Sequence, residues 1–584
     1  MIYDIKKIIA EAIYNIIVAR GDPAALPSIT QEEIAGMIGF PPNIELGDLD
    51  LPCFRFAKIL RKSPNVIAEE ITAELENLDL RDKVKNISAA GGYINFTLDD
   101  KFYARNILAD IFEQKDKYGA SDIGAGKTAI VEYSSPNMSK PLSTGHLRTT
   151  NIGNAIKKIH QFCGYKTVAI NFIGDWGTPH GKIIAAYKLW CNDMKEVEEK
   201  GVYKLLDLYV RFDDEAEKDE SLNDMGREWF VKLEQGDGEA VKLWKKFMEI
   251  SLIEIKRIYD ILGIEFDDYN GESFFEDKID AVVKELKEKN LLKLDRGAQI
   301  VDLSEYNMPP CLILKSDGAT LYHTRDIAST LYRKKTYNFD KNVIVTDMRQ
   351  SLHFAQWIKV IELMGYEWAK DCIHIPYGLM NFEGQVMKTR KGNAQLLDEL
   401  LKMAVEKVEQ IMQEKNPDSS VLSDEEKKDI AKKVGIGAIL FSDLVNGRLK
   451  DVNFSWEDAL NFSGNSGPYV QYTYARACSV LEKNDADIDY ENIIITNNLE
   501  REIIKLLSQF PEKVLVAERE YEPSVICRYL LDICAVFNRF YHDCSILKAE
   551  SDEIKNSRLA LCEAVKYTIG NGLWLIGLEK TSKV

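Results

Sequence analysis

Residues 131–156 read VEYSSPNMSKPLSTGHLRTTNIGNAI. A strand-like run, AIVEYSS from Ala129, passes through a loop rich in Pro, Ser and Gly and enters a helix expected over Arg148–Cys163. A helix N-terminus at the end of such a loop offers unpaired N–H groups and a positive dipole end to phosphates. Gly145 lets the backbone approach closely, and His146 brings a donor for a phosphate oxygen. This is the geometry of a nucleotide site.

Working outward, TVAINFI, NVIVT and CIHIPYG are further short apolar runs separated by helical patterns, which indicates a parallel sheet of α/β type. Between about 184 and about 300 the sequence turns charged and helical (KEVEEK, EAEKDE, VVKELKEKN), the pattern of a helical insertion with solvated faces. Upstream, an amphipathic first helix, a Pro/Gly loop, helices around Phe54–Leu78 and a strand at Gly92–Leu98 form an α+β unit that ends at the linker GASDIGAGKT. Downstream of the breaker run KNPDSS every segment has helical periodicity. The expected organisation is 1–120 (α+β), 121–415 (Rossmann-type α/β with the insertion) and 416–584 (an all-α bundle).

With 75 Lys and Arg against 93 Asp and Glu, the 584-residue chain carries a formal charge of −18, which excludes a general polyanion-binding protein. Nucleic acid must be met by local basic patches. The 10 cysteines form no CxxC pair and lie mostly in apolar stretches, as reduced core thiols do, so neither a disulfide framework nor a zinc site is expected. Asp4, Lys6, Lys7 and Glu11 interrupt the first apolar segment, and no uncharged apolar run approaches the roughly 20 residues that span a bilayer. A cytoplasmic protein without membrane contact is expected.

The 131–156 segment resembles the HIGH signature of class I aminoacyl-tRNA synthetases. In detail it is similar to the arginyl-tRNA synthetases, whose version runs SPNxxKPxHxGHLRSTxIG. GDWGT (174–178), LYHTRDIA (321–328), DMRQSLHFAQ (347–356), MKTRKGN (387–393) and GPYVQYTYAR (467–476) follow in the family's order, and GDLDLPCFRFAKILRK and AGGYINFTL resemble its N-terminal tRNA-contacting domain. The resemblance covers essentially the whole chain. It implies ATP-dependent activation of L-arginine and transfer to tRNA(Arg), with Mg²⁺ accompanying ATP, in a monomer.

Transferred position by position, the resemblance implies Lys140, His146, Lys388, Arg390 and Lys391 as catalytic cations and donors. ATP would be lined by Pro136, Lys140, Ser143, Gly145, His146, Met387 and Lys388. Arginine would meet Glu132, Asn137, His146, Tyr322, Asp326 and Gln350. A guanidinium needs planar carboxylate partners, which suits Glu132 and Asp326. Read alone, Asp326 is equally a helix N-cap or an ion-pair partner of Arg325 or Arg333. Tyr469, Tyr472 and Arg476 in the helical domain would contact tRNA by stacking on splayed bases, or the tyrosines pack between helices.

Two positions depart from the pattern. Ser143 stands where the family has the first His of HIGH, and a serine donates a hydrogen bond but carries no charge. Pro179 and His180 replace a Gln and an aromatic, removing a backbone donor and an amide side chain. They leave a second reading open, a paralogue that binds tRNA or an arginine-like ligand with weak or no aminoacylation.

Overall fold

The computed structural model describes residues 2–20, 29–77, 82–316, 322–382, 396–415, 422–485 and 487–583. The N-terminal unit sets α1 (Ile2–Arg20) and α2 (Pro64–Leu75) on a three-stranded antiparallel sheet of β1 (Leu49–Pro52), β2 (Val84–Ala90) and β3 (Tyr93–Leu98), in the order β1-β3-β2, and ends in α3 (Asp100–Gln114). The apolar positions of α1 that recur at helical spacing, Ile5, Ile9, Ile13 and Ile16, are all buried.

Next comes a four-stranded, wholly parallel sheet. β4 (Thr128–Glu132) leads into α4 (Leu147–Phe162), and β5 (Lys166–Ile170) pairs with one edge of β4. The long helices α5 (Thr178–Trp190), α6 (Val202–Ala216), α7 (Ser221–Glu234) and α8 (Gly238–Leu262) follow, with a short one at Met194–Lys200 between the first two. The span expected to be helical does not stay so. Residues Leu292–Asp295 (β6), Ala298–Val301 (β7) and Cys311–Leu314 (β8) form an antiparallel sheet, because Arg296 (φ 47°) and Gly297 (φ 85°) make a two-residue hairpin turn between alternating residues. α9 (Tyr322–Tyr337), β9 (Lys341–Asp347), α10 (Ser351–Leu363) and β10 (Cys372–Tyr377) return the chain to the parallel sheet, whose order is β10-β9-β4-β5. Strand order reverses between β4 and β9, and ligands bind at the carboxyl ends of strands at such a switch point.

β11 (Met380–Phe382), α11 (Leu397–Lys415) and α12 (Asp424–Leu444) follow, and β12 (Val452–Phe454) pairs in parallel with β11. The rest is helical: α13 (Gly467–Glu482), α14 (Asn498–Glu520), α15 (Ser524–Asp543) and α16 (Asp552–Leu575). These helices also hold the N-terminal unit. Arg501 pairs with buried Asp48 at 2.5 Å, Tyr103 Oη lies 2.7 Å from Ser508 Oγ, and the Tyr118 hydroxyl donates to the Leu507 carbonyl at 2.8 Å.

All ten cysteines are free, eight of them buried. Among the described residues no helix is long and apolar enough to cross a membrane.

Candidate active site

Glu132 ends β4, and the loop after it is held in a conformation that costs energy. Ser134 (φ 69°), Ser135 (φ 45°) and Ser139 (φ 67°) all occupy the left-handed region that disfavours side chains. Hydrogen bonds outweigh the strain. The Ser134 N–H donates to Thr149 Oγ1, that of Ser135 to Asn171 Oδ1 and that of Ser139 to Ser251 Oγ. Met138 N–H donates to the Gly174 carbonyl, and Gly174 N–H to the Pro136 carbonyl, both at 2.9 Å, so the SPN loop and GDWGT are stitched together. A Cβ on Gly174 would come 2.3 Å from Asn137 Oδ1, so a side chain there would displace the Asn137 amide. A Cβ on Gly153 would strike Tyr133 Cβ at 2.2 Å and the ring at 2.3 Å, and its absence lets α4 lie directly on the end of β4.

At the start of α4 the Ser143 N–H donates to His146 Nδ1 at 3.1 Å, and Ser143 Oγ lies 3.0 Å from the same nitrogen. Nδ1 therefore accepts, and Nε2 carries the proton. Burial lowers the His146 pKa from its ordinary value; the Ser143 carbonyl, 3.3 Å from Nδ1, would accept from the protonated ring and opposes this, and the ring is a neutral donor. Ser143, expected among the ATP contacts, turns its hydroxyl to His146. Gly145 and Asn137 are exposed and Pro136 is buried. Pro179 sits in the first turn of α5, where a backbone N–H has no intrahelical partner anyway, so its substitution removes no helical bond. His180 is buried beside it, its pKa pushed down by burial to about 4.

The carboxylates expected for arginine lie close enough to influence each other. Glu132 is buried and pairs with Arg333 of α9 at 2.5 Å. Burial raises its pKa, Arg333 opposes the rise and Asp326 reinforces it. Asp326, one turn into α9, pairs with His353 Nε2 of α10 at 2.5 Å, while Arg325 goes to Glu276. Neither alternative arginine is the partner of Asp326. Tyr322 is 65% exposed at the start of α9 and Gln350 is exposed at the start of α10. A further carboxylate escaped sequence reasoning: Glu272 is buried, and burial pushes it up to about 7, with Arg325 opposing and Asp175, Asp326 and Glu276 reinforcing. Only its acidic character and place after a Gly (Asn270-Gly271-Glu272) were visible beforehand, with no periodic or motif signal.

Met387, Lys388, Arg390 and Lys391 lie outside the described residues. The flanks of their segment are tied to the α4 turn. The Leu397 N–H donates to the Leu142 carbonyl at 2.9 Å, and Ser143 bridges Leu396. On the other flank Arg148, buried in the first turn of α4, donates to the carbonyls of Gly378 (2.7 Å) and Lys450 (2.8 Å) and pairs with buried Asp443 of α12 at 2.8 Å. Removing one partner of such a buried pair costs about 3–5 kcal/mol.

In the helical domain, Tyr469, Tyr472 and Arg476 of α13 line a cavity of about 870 Å³ with Asn538 and His542 of α15. The Arg476 guanidinium lies 4.7 Å from the ring centres of both Tyr472 and Tyr541 and bonds Asn538. Tyr541, 42% exposed, was not anticipated.

The family model for the catalytic domain of class I tRNA synthetases (R) matches residues 107–456, that for the arginyl-tRNA synthetase N-terminal domain matches 3–98, and that for the DALR anticodon-binding domain matches 470–584. The chain belongs to the arginyl-tRNA synthetase family. It is 50% identical to an arginine–tRNA ligase of Alkaliphilus metalliredigens over 96% of this chain and 97% of that one. To the arginine–tRNA ligase of Clostridium perfringens it is 44% identical over the full length of both. The arginyl-tRNA synthetase of Thermus thermophilus superposes with a TM-score of 0.79 at 26% identity, covering 94% of this chain and 96% of that one. Arginyl-tRNA synthetase family motifs that are far apart in sequence, SPN, GDWGT, RDIA and DMRQSLHF, thus meet on one edge of the parallel sheet.

Proposed function

We propose that this chain couples L-arginine to tRNA(Arg) through an arginyl-adenylate, with its side chains dividing the work along the carboxyl edge of β4 and β9. As a member of its family it is an arginine–tRNA ligase, and ATP, L-arginine and tRNA are its substrates. The observation that carries the site assignment is the convergence there of the SPN loop, the α4 turn and the Glu132, Asp326 pair.

On this reading Glu132 and Asp326 receive the guanidinium with Tyr322 and Gln350 at the mouth, while Asn137 and His146 serve the α-amino and carboxylate end. Pro136, Ser143, Gly145 and Met387 border the ATP. Lys140, neutral His146, Lys388, Arg390 and Lys391 stabilise charge on the phosphates as the arginine carboxylate attacks the α-phosphate and pyrophosphate departs. Mg²⁺ would arrive with the polyphosphate, whose charge needs neutralisation beyond what the protein cations supply. Tyr469, Tyr472 and Arg476 would stack on tRNA bases. We read 1–120 as the tRNA-contacting unit, 121–415 as the catalytic unit and 416–584 as the anticodon-binding unit of a cytoplasmic monomer.

Charging of total tRNA with labelled arginine, beside lysine, citrulline and canavanine at saturating ATP and Mg²⁺, tests the reading. Arginine is expected to be charged well ahead of lysine and citrulline, because a pocket built around carboxylates is left unpaired by citrulline. Failure with every amino acid despite tRNA binding would overturn it.

A further inference from the structure

Lys140 stands beside the α4 turn, yet its ammonium touches a residue of the helical insertion. Nζ of Lys140 lies 3.6 Å from the ring centre of Tyr209, midway along α6. Its loop is fixed by the Ser139 N–H to Ser251 Oγ bond of 3.0 Å, and the Ser251 hydroxyl is anchored on the Phe247 carbonyl at 2.7 Å, within α8. Two insertion helices therefore set where the ammonium points. The charged groups facing it are Asp213, one turn beyond Tyr209 on α6, and Lys182 on α5, with buried His180 also in range. Asp213 is committed to Lys182 at 2.9 Å. Among the described residues no carboxylate lies within 4.0 Å of Lys140.

A cation on an aromatic face is stabilised electrostatically while its N–H donors stay uncommitted. An ion pair would instead have to be broken before a phosphate could take the carboxylate's place. Burial lowers the Lys140 pKa, Asp213 opposes the fall from a distance and Lys182 adds to it, and the ring contact joins Asp213 in offsetting the loss of water.

We propose that Tyr209 is a positioning residue for adenylate formation: its ring holds the Lys140 ammonium in place, unpaired with any carboxylate, for the triphosphate of ATP. The proposal rests on the assignment of Lys140 to the phosphates. The insertion thereby has a part in the chemistry beyond packing.

The test is ATP–pyrophosphate exchange with tRNA present, followed across pH, for Tyr209→Phe, Tyr209→Leu, Tyr209→Trp and Lys140→Ala, and for the Tyr209→Leu/Lys140→Ala double variant. Tyr209→Phe keeps the π face and should stay within about twofold of wild type. Tyr209→Leu should raise the KM for ATP about fivefold, leave the KM for arginine unchanged and move the alkaline limb of the profile to lower pH, with Tyr209→Trp moving it the other way. In the Lys140→Ala background the Tyr209→Leu change should have no further effect. A Tyr209→Leu enzyme with wild-type ATP kinetics and pH profile, alongside an impaired Lys140→Ala enzyme, would overturn the inference and leave the phosphate assignment standing. A Lys140→Ala enzyme with unchanged ATP kinetics would overturn both.

Discussion

On the side of the site proposed for the amino acid, each carboxylate is held by a base from the same chain, Arg333 at 2.5 Å from Glu132 and His353 at 2.5 Å from Asp326. On the side proposed for the nucleotide, the ammonium of Lys140 rests on a tyrosine ring and His146 is a neutral donor whose acceptor nitrogen is occupied by Ser143. The difference follows from the charge each side must receive. Two carboxylates set close together repel each other, so a pocket for a cation gains from internal bases placed beside them. A polyanion site gains more from donors with nothing to release, because every ion pair already made has to be exchanged.

The comparison can be broken first at Asp326. Asp326→Asn keeps a partner for His353 but loses the charge, and kcat/KM for arginine should fall about 100-fold while the KM for ATP stays within about twofold. An unchanged KM for arginine in steady-state kinetics would remove Asp326 from the pocket.

Glu272 is a buried carboxylate for which, among the described residues, no base lies within 4.0 Å. Its pKa in the folded chain, about 7, lies above the ordinary 4.5, so the fold resists its ionisation and stability is lost as pH rises between these values. Glu272→Gln should therefore stabilise the unliganded protein relative to wild type by about 2 kcal/mol at pH 8 and hardly at all at pH 4.5, read from urea midpoints. An equal difference at both pH values would show that Glu272 does not titrate in this window.

The smallest effect belongs to Ser143. Because the backbone N–H of residue 143 supplies one bond to His146 whatever the side chain, Ser143→Ala should lower the activation rate only about fivefold, with the KM for arginine unchanged. A loss of 100-fold or more would mean that the hydroxyl touches the reacting groups.

Much of this was legible in the sequence. The strand, loop and helix of 128–162 appear where the pattern places them, and the motif order implied that Glu132 and Asp326 would meet. The pairings that tune these carboxylates and Lys140 were not legible. Arg333, His353, Glu272 and Tyr209 come from four separate elements, each an ordinary amphipathic or charged stretch whose partners are set only by packing. The charged insertion illustrates this: its helix faces read as solvated, yet one of them carries the ring beneath Lys140. The hairpin at 292–301 escaped for a local reason, since Leu292–Lys293–Leu294 continues a helical run until Arg296 and Gly297 turn it.

The clasp between the two ends of the chain bears on how the protein is made. The Tyr118 hydroxyl and its acceptor at Leu507 are 389 residues apart. A ribosome adding about 5–20 residues each second completes the second half of that contact roughly 20–80 s after the first has emerged. For that interval the N-terminal unit must keep its own shape, or a chaperone must shield the face that α14 will cover, before the newly finished helices close over it.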